Sequence, residues 1–289
     1  MDLPLPPVEG VTHRTVRVGD LDVHVAEAGA GEPLVLLHGW PQHWYCWRSV
    51  VPRLAQHYRL VMPDMRGHGW SSVPAAGYDK EQLATDLLGL LDALELPQVG
   101  LVGHDWGGWT GFLACLRAPE RFRGFVALGI PHPFQKPDAR LLQAWRGAYQ
   151  LVLGAPVLGE ALLRISPRPV EQLIRLGSTH RDAFTAADLR TYAEVLQDPA
   201  RARASSQLYR SFVLGEALPV FLGRYRDRRL TVPTRLVGGA DDLVVSRQLL
   251  DGWQDVADDM KVGILPGCGH FVPEERPDVV ASTVRALLG

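Results

Sequence analysis

Cysteine is scarce in this chain of 289 residues: Cys46, Cys115 and Cys268 are the three present, and they lie far apart. An odd, scattered set builds no disulfide framework and suits a reducing compartment, so a cytoplasmic location is expected. An excess of one charge is also missing. Lys and Arg number 30 against 32 Asp and Glu, for a net charge of −2, and no basic run exceeds Arg226-Asp227-Arg228-Arg229. Nucleic acid and anionic membrane surfaces are therefore not expected partners. The polar, proline-rich start does not read as a signal peptide. No apolar stretch reaches the roughly 18 residues that a spanning helix needs. The ten histidines include no His-Glu-x-x-His and no paired Cys/His spacing, so no metal is expected. Gly-x-Ser-x-Gly is absent as well, which disfavours a serine esterase.

What is present is alternation of short apolar strands with amphipathic helices. Residues 12–18 and 21–28 alternate around Gly19-Asp20 and read as an antiparallel hairpin. Strands are expected at 34–37, 59–62, 98–102 and 122–128, with helices at 47–56, 79–94 and 106–117 between them. Strands that are apolar throughout imply a mostly parallel sheet covered by helices on both faces, an α/β fold. From 132 to 228 the pattern turns helical, broken by Pro and Gly, with no convincing strand. It resumes at 229 with strands at 234–237 and 261–265, a helix at 246–257 and a last helix ending at Gly289. The expected organisation is a core in two parts, 1–131 and 229–289, carrying an all-helical cap over the carboxyl edge of the sheet, where such sheets bind ligands.

The chemistry centres on Gly103-His104-Asp105-Trp106-Gly107-Gly108. An apolar strand runs into small residues around one reactive side chain, and a helix begins at once: the strand, sharp turn and helix of a nucleophile elbow. Asp occupies the position more often held by Ser. A carboxylate there attacks carbon and forms an ester, which directs the chemistry toward opening carbon–oxygen or carbon–halogen bonds. That ester must then be hydrolysed. His270, in Gly267-Cys268-Gly269-His270-Phe271, is the candidate base for water, oriented by an Asp of Gly239-Ala240-Asp241-Asp242. Asp242, followed by Val244-Val245, has the better spacing; Asp241 stays open. The backbone N–H groups of Trp40 and Trp106 are the candidate oxyanion donors.

Taken singly, each residue has a plainer reading. An Asp in a glycine-rich turn usually shapes the turn or caps a helix, and a loop His is usually just hydrogen-bonded. The order nucleophile, acid, histidine along the chain lifts these three above that background. His104 and His68 read as packed, loop-shaping groups, and Cys268 as a spectator. Trp40, Trp106, Trp44, Trp109 and Phe271 read as the apolar wall of a pocket.

Together, His38-Gly39-Trp40-Pro41, Trp44-Tyr45-Cys46-Trp47-Arg48, Asp64-Met65-Arg66-Gly67-His68-Gly69, the elbow, and Gly269-His270-Phe271 resemble the epoxide hydrolases of the α/β-hydrolase fold. The likeness runs over nearly the whole chain. It implies hydrolysis of epoxides to vicinal diols through an aspartyl ester, with water and a small-molecule epoxide as partners and no cofactor. It also implies two cap tyrosines that assist ring opening. Ala148-Tyr149-Gln150-Leu151 and Leu208-Tyr209-Arg210 resemble the segments that carry them, with Tyr192 a third candidate. Phenols, still protonated at neutral pH, suit the departing alkoxide. Departures are Trp40, where Phe is common, and Leu243 and Ser246, where Pro is frequent. A haloalkane or haloacid dehalogenase would use the same Asp–His–Asp set, and a non-catalytic small-molecule receptor would bind without turnover. A homodimer stays open.

Overall fold

The computed structural model describes residues 3–135 and 147–289. Eight strands form one sheet: β1 (Thr12–Val18), β2 (Leu21–Ala28), β3 (Glu32–Leu37), β4 (Tyr58–Pro63), β5 (Val99–His104), β6 (Phe122–Leu128), β7 (Thr234–Gly239) and β8 (Met260–Leu265). Their order is β1-β2-β4-β3-β5-β6-β7-β8. β1 and β2 pair antiparallel, β2 meets β4 antiparallel, and every later neighbour is parallel. This is the mostly parallel, helix-flanked α/β-hydrolase architecture expected from the pattern.

The centre of the sheet shows why its strands are apolar throughout. β5 is buried at every position, and the two-residue period sends neighbouring side chains to opposite faces. Gly100 and Gly124, partners in the β5–β6 register, lie under the last helix, Pro277–Leu288. A Cβ on Gly100 would stand 2.5 Å from Leu288 Cδ1, so the bare strand lets the end of that helix pack close without shifting the leucine. Leu101 and Phe125, the next pair, face the other way. Phe125 meets Phe112 of the helix Trp106–Arg117 edge to face, centroids 5.0 Å apart. Truncating such a buried Phe to Ala costs about 3–5 kcal/mol. Asp79 caps the helix Lys80–Ala93 by accepting from the Gln82 N–H at 3.0 Å.

Two expected helices are shorter than their patterns suggest. In place of 47–56 there is a 3₁₀ turn, Trp44–Trp47, and a single helical turn, Val51–Leu54. Pro52 lacks an N–H and is tolerated only where a helix begins. In place of 246–257 the helix is Arg247–Leu250, because Asp251 is extended and Gly252 turns the chain at φ 88°.

Between β6 and β7 the described residues hold the helices Tyr149–Gly154, Leu158–Ile165, Arg168–Gly177, Ala186–Val195 and Pro199–Ser211 and no strand. The last of these passes through a π-turn, Phe212–Glu216, into Ala217–Phe221. Two of the starts follow capping chemistry. Thr185 and Asp188 form a reciprocal capping box, and Asp198 accepts from Ala200 and Arg201 ahead of Pro199. Residues 136–146 of the expected cap lie outside the described residues.

Candidate active site

Asp105 sits where β5 ends and the helix Trp106–Arg117 begins, with φ 49° and ψ −122°. A side chain at positive φ is strained, and the surroundings hold it there. Its N–H donates to the Leu128 carbonyl at 3.0 Å, tying the turn to β6. The turn closes because Gly103 and Gly107 carry no Cβ. One on Gly103 would approach the Gly107 carbonyl oxygen to 2.5 Å, and one on Gly107 would approach the Leu37 and His38 carbonyl oxygens to 2.4 Å.

Three loops at the carboxyl ends of strands bring the polar groups together. The loop after β8 places His270 Nε2 3.5 Å from Asp105 Oδ2, and His270 Nδ1 lies 2.9 Å from Asp242 Oδ2. The loop after β7 supplies Asp242, whose Oδ1 accepts from the Val244 and Val245 N–H groups at 2.7 and 3.0 Å. The loop after β3 brings the Trp40 N–H to 3.0 Å from Asp105 Oδ1, beside a cis Trp40–Pro41 bond. The Trp106 N–H also bonds the Asp105 carboxylate. Burial alone would raise the Asp105 pKa; the bond and charge of His270, with His104 and the Trp106 N–H, reverse this and hold the carboxyl below its ordinary range. Burial likewise opposes a charged His270, but Asp242 and Asp105 on either side lift it from 6.5 to about 10.

Above Asp105 is a cavity of about 300 Å³. Its wall is mostly apolar, with Trp106, Trp109, Ile130, Phe212, Val220 and Phe221 prominent, and Tyr149, Gln150 and Gln135 add polar groups. Tyr149 meets Tyr209 edge-on with centroids 5.8 Å apart, and Tyr209 packs in turn on Trp106 at 5.8 Å and Trp40 at 5.2 Å. Burial raises both phenol pKa values, and the Asp105 carboxylate adds to the effect, so both hydroxyls carry their protons at neutral pH. The site thus combines a strained carboxylate, a histidine held between two carboxylates, two backbone donors and two protonated phenols.

Residues 32–277 match the family model described as the alpha/beta hydrolase fold. The chain belongs to this family. It is 33% identical over 282 residues to the soluble epoxide hydrolase of Corynebacterium sp. (strain C12), covering 94% of this chain and 96% of that one. It is 31% identical over 292 residues to the fluoroacetate dehalogenase of Burkholderia sp, covering 97% and 94%. The solved structure of the epoxide hydrolase CorEH without ligand superposes with a TM-score of 0.86 at 30% identity, covering 96% of this chain and 98% of that one. This is an α/β hydrolase of the epoxide-hydrolase-like kind.

Some candidate residues of this α/β hydrolase keep their expected places and others do not. Asp242 rather than Asp241 meets His270; Asp241 is exposed, near the Thr179 hydroxyl at 3.4 Å. Tyr192 is turned away from Asp105, its hydroxyl bonded to Glu274 and Arg48. Phe271, expected in the pocket wall, instead packs behind His270 at 5.2 Å and against Phe184 at 5.9 Å, outside the residues that line the cavity. The alternation of side chains around His270 turns its neighbour into the core. Trp40 lends the site its N–H while its ring supports Tyr209 rather than lining the cavity, and Trp44 is fully buried against His13 and Tyr45. Trp106 and Trp109 line the cavity as expected.

His104 is a packed neighbour. Burial lowers its pKa to about 4, and its Nε2–H donates to the His270 carbonyl at 2.9 Å. Burial raises the Cys268 thiol to about 12. No group of three His, Cys, Asp or Glu among the described residues could hold a metal ion, and no described helix is long and apolar enough to cross a membrane. One residue gave no sequence signal. Lys80 is fully buried, with its amine 4.6 Å from the Trp106 ring centroid and donating to the Leu208 carbonyl at 2.5 Å. A lysine in the first turn of a helix ordinarily reads as surface charge.

Proposed function

We propose that this protein is an epoxide hydrolase that converts lipophilic epoxides to vicinal diols through an ester on Asp105. Asp105 attacks an epoxide carbon from the side opposite the ring oxygen, and the carbon–oxygen bond breaks. Tyr149 and Tyr209 hydrogen-bond the alkoxide and supply its proton. Residues 132–228 act as a cap, inserted between core parts 1–131 and 229–289, that carries the tyrosines and excludes bulk water.

The second step returns the enzyme. In the free protein His270 holds a proton between two carboxylates, with its pKa at about 10. Esterification removes the charge of Asp105 and with it one of the two carboxylates that hold the imidazolium proton; that proton passes to the phenolate left by ring opening, and the neutral imidazole becomes a competent base. His270, oriented by Asp242, then takes a proton from water, whose oxygen adds to the Asp105 ester carbon. The Trp40 and Trp106 N–H groups stabilise the tetrahedral oxyanion by about 3–4 kcal/mol each. Collapse releases the diol and restores the carboxylate.

The observation that carries this reading is the pairing of an esterifiable carboxylate, 3.5 Å from His270, with the protonated phenol of Tyr149 in the wall of one apolar cavity and that of Tyr209 packed beside it. A single turnover of styrene oxide in ¹⁸O-labelled water, with enzyme in excess, tests it. Diol carrying unlabelled oxygen at the new hydroxyl supports the ester route; heavy isotope in the first-turnover diol overturns it.

A second reading, haloalkane or haloacid dehalogenase, is favoured by the indole of Trp106, which is buried in the cavity wall beside Asp105 and could turn its N–H to a halide. The two phenols argue for the epoxide, since a halide leaves without a proton. Halide release from a bromoalkane with no diol from styrene oxide would reverse the preference.

A further inference from the structure

All three backbone N–H groups centred on His270 are committed, two of them to one side chain. The Gly269 N–H donates to Glu275 Oε2 at 3.1 Å and the Phe271 N–H to Glu275 Oε1 at 3.2 Å. The His270 N–H donates to the Gly177 carbonyl at 2.7 Å. Glu275 Oε2 also accepts from the N–H groups of Thr179 at 2.8 Å and His180 at 2.9 Å. A single buried carboxylate thus joins the loop after β8 to residues 177–180, at the end of the helix Arg168–Gly177.

Four bonds converging on one carboxylate define a position more sharply than any one of them would. The clasp also leaves no slack. A Cβ on Gly269 would lie 2.3 Å from the Gly177 carbonyl oxygen and 2.9 Å from Glu275 Oε1. The adjacent Glu274 belongs to another network, its carboxylate facing Gln42, Arg48 and Tyr192. Hydrogen bonds join Glu275 to neither Asp105 nor the two phenols, so its only route to the chemistry runs through the backbone on both sides of His270.

We propose that Glu275 is a positioning residue: it sets the His270 imidazole for water activation and makes that setting depend on residues 177–180 of the segment between β6 and β7. The proposal rests on the reading of Asp105 as the ester-forming group and His270 as the base. It assigns Glu275 to one half-reaction only. Ring opening uses Asp105, Tyr149 and Tyr209, while ester hydrolysis requires the imidazole to be aimed at a water beside the ester carbon. A carboxylate that merely held the fold together would affect both steps alike.

The test measures the two steps separately in Glu275→Gln and Glu275→Asp. Enzyme is mixed rapidly with styrene oxide, and the fraction carrying an Asp105 ester is followed by intact-protein mass spectrometry. Glutamine places an NH₂ group against backbone N–H donors at one of the two oxygens, so one of the four bonds is lost, or three if the NH₂ takes the place of Oε2; aspartate keeps the carboxylate at shorter reach. In Glu275→Gln, ester formation should stay within about twofold of the unmodified protein, while hydrolysis slows on the order of 10²-fold, the cost of misplacing a reacting group. KM should fall together with kcat, leaving kcat/KM unchanged. Glu275→Asp should show the same selectivity, less severely, and carries the test alone if the glutamine variant does not fold. Hydrolysis at the unmodified rate in a folded variant, or equal slowing of both steps, overturns the proposal. If the unmodified protein and His270→Gln both fail to form an ester, the reading of Asp105 itself is overturned, and the positioning role with it.

Discussion

The half of the site carried by the sheet and the half carried by the helices between β6 and β7 are built differently. Asp105, His270 and Asp242 stand on short loops at strand ends: the Asp105 and His270 N–H groups are tied to the Leu128 and Gly177 carbonyls, and the Asp242 carboxylate accepts from N–H groups of its own loop. Tyr149 and Tyr209 stand in a helical layer with many exposed apolar side chains. Of the large apolar side chains left exposed among the described residues, only Leu243 belongs to the core. Leu151, Val157, Leu158, Ile165, Leu176, Leu214, Leu218 and Leu222 all come from the segment between β6 and β7. In the proposed mechanism the sheet provides the geometry for a covalent role, whereas the helical layer offers two proton donors and an apolar wall. Loss of a group from the first half should stop a chemical step; loss from the second should slow one.

The largest expected effect breaks the sheet-borne half at its base. His270→Gln should still accept the substrate on Asp105 but not release it, lowering turnover on the order of 10⁵–10⁶-fold. Intact-protein mass spectrometry under excess epoxide should show the adduct, and its absence would contradict the role. Asp242→Asn should lower kcat by about 10⁴-fold through the wrong imidazole tautomer. Asp241→Asn, at an exposed site, should stay within about twofold. Comparable losses in the two variants would undo the assignment of the acid.

Replacing both Tyr149 and Tyr209 by Phe tests the helical half. Ester formation should slow by about 10²–10⁴-fold with the melting temperature little changed. Near-normal ring opening would remove the phenols from the mechanism.

The smallest effect is on stability. Burial opposes a charged His270, yet Asp242 and Asp105 raise its pKa from 6.5 to about 10. In the unfolded chain the group titrates near its ordinary value. Its pairing therefore contributes full stability below about pH 6.5, and the contribution is lost as pH rises through about 10. Thermal unfolding should show a melting temperature that declines over this window, and a decline of equal size in His270→Gln would assign it elsewhere.

Much of this molecule is legible in its residues because the signals are local. Strand and helix periods, the small residues around Asp105 and the order Asp, Asp, His follow from short-range sterics and from what a parallel sheet must bury. Signals that depend on the path of the chain are not legible in this way. Asp241 and Asp242 are chemically identical neighbours, and only the turn after β7 sends one of them to His270. Tyr192 is as plausible a donor as Tyr209 until the packing of Ala186–Val195 delivers its hydroxyl to Glu274. Phe271 reads as pocket wall until the same turn that presents His270 rotates it into the core.

Periodicity alone thus determines a mostly parallel α/β sheet, and the small residues around Asp105 a sharp turn that presents a carboxylate; the resemblance of the motifs adds the α/β-hydrolase fold. Which phenols face that carboxylate, which acid backs the histidine, and that Glu275 grips the loop from both sides are decided by tertiary structure. Most of these contacts join residues tens to more than a hundred positions apart, where no local preference reaches, and even Glu275, four and six positions from Phe271 and Gly269, is bound to Thr179 and His180 far along the chain.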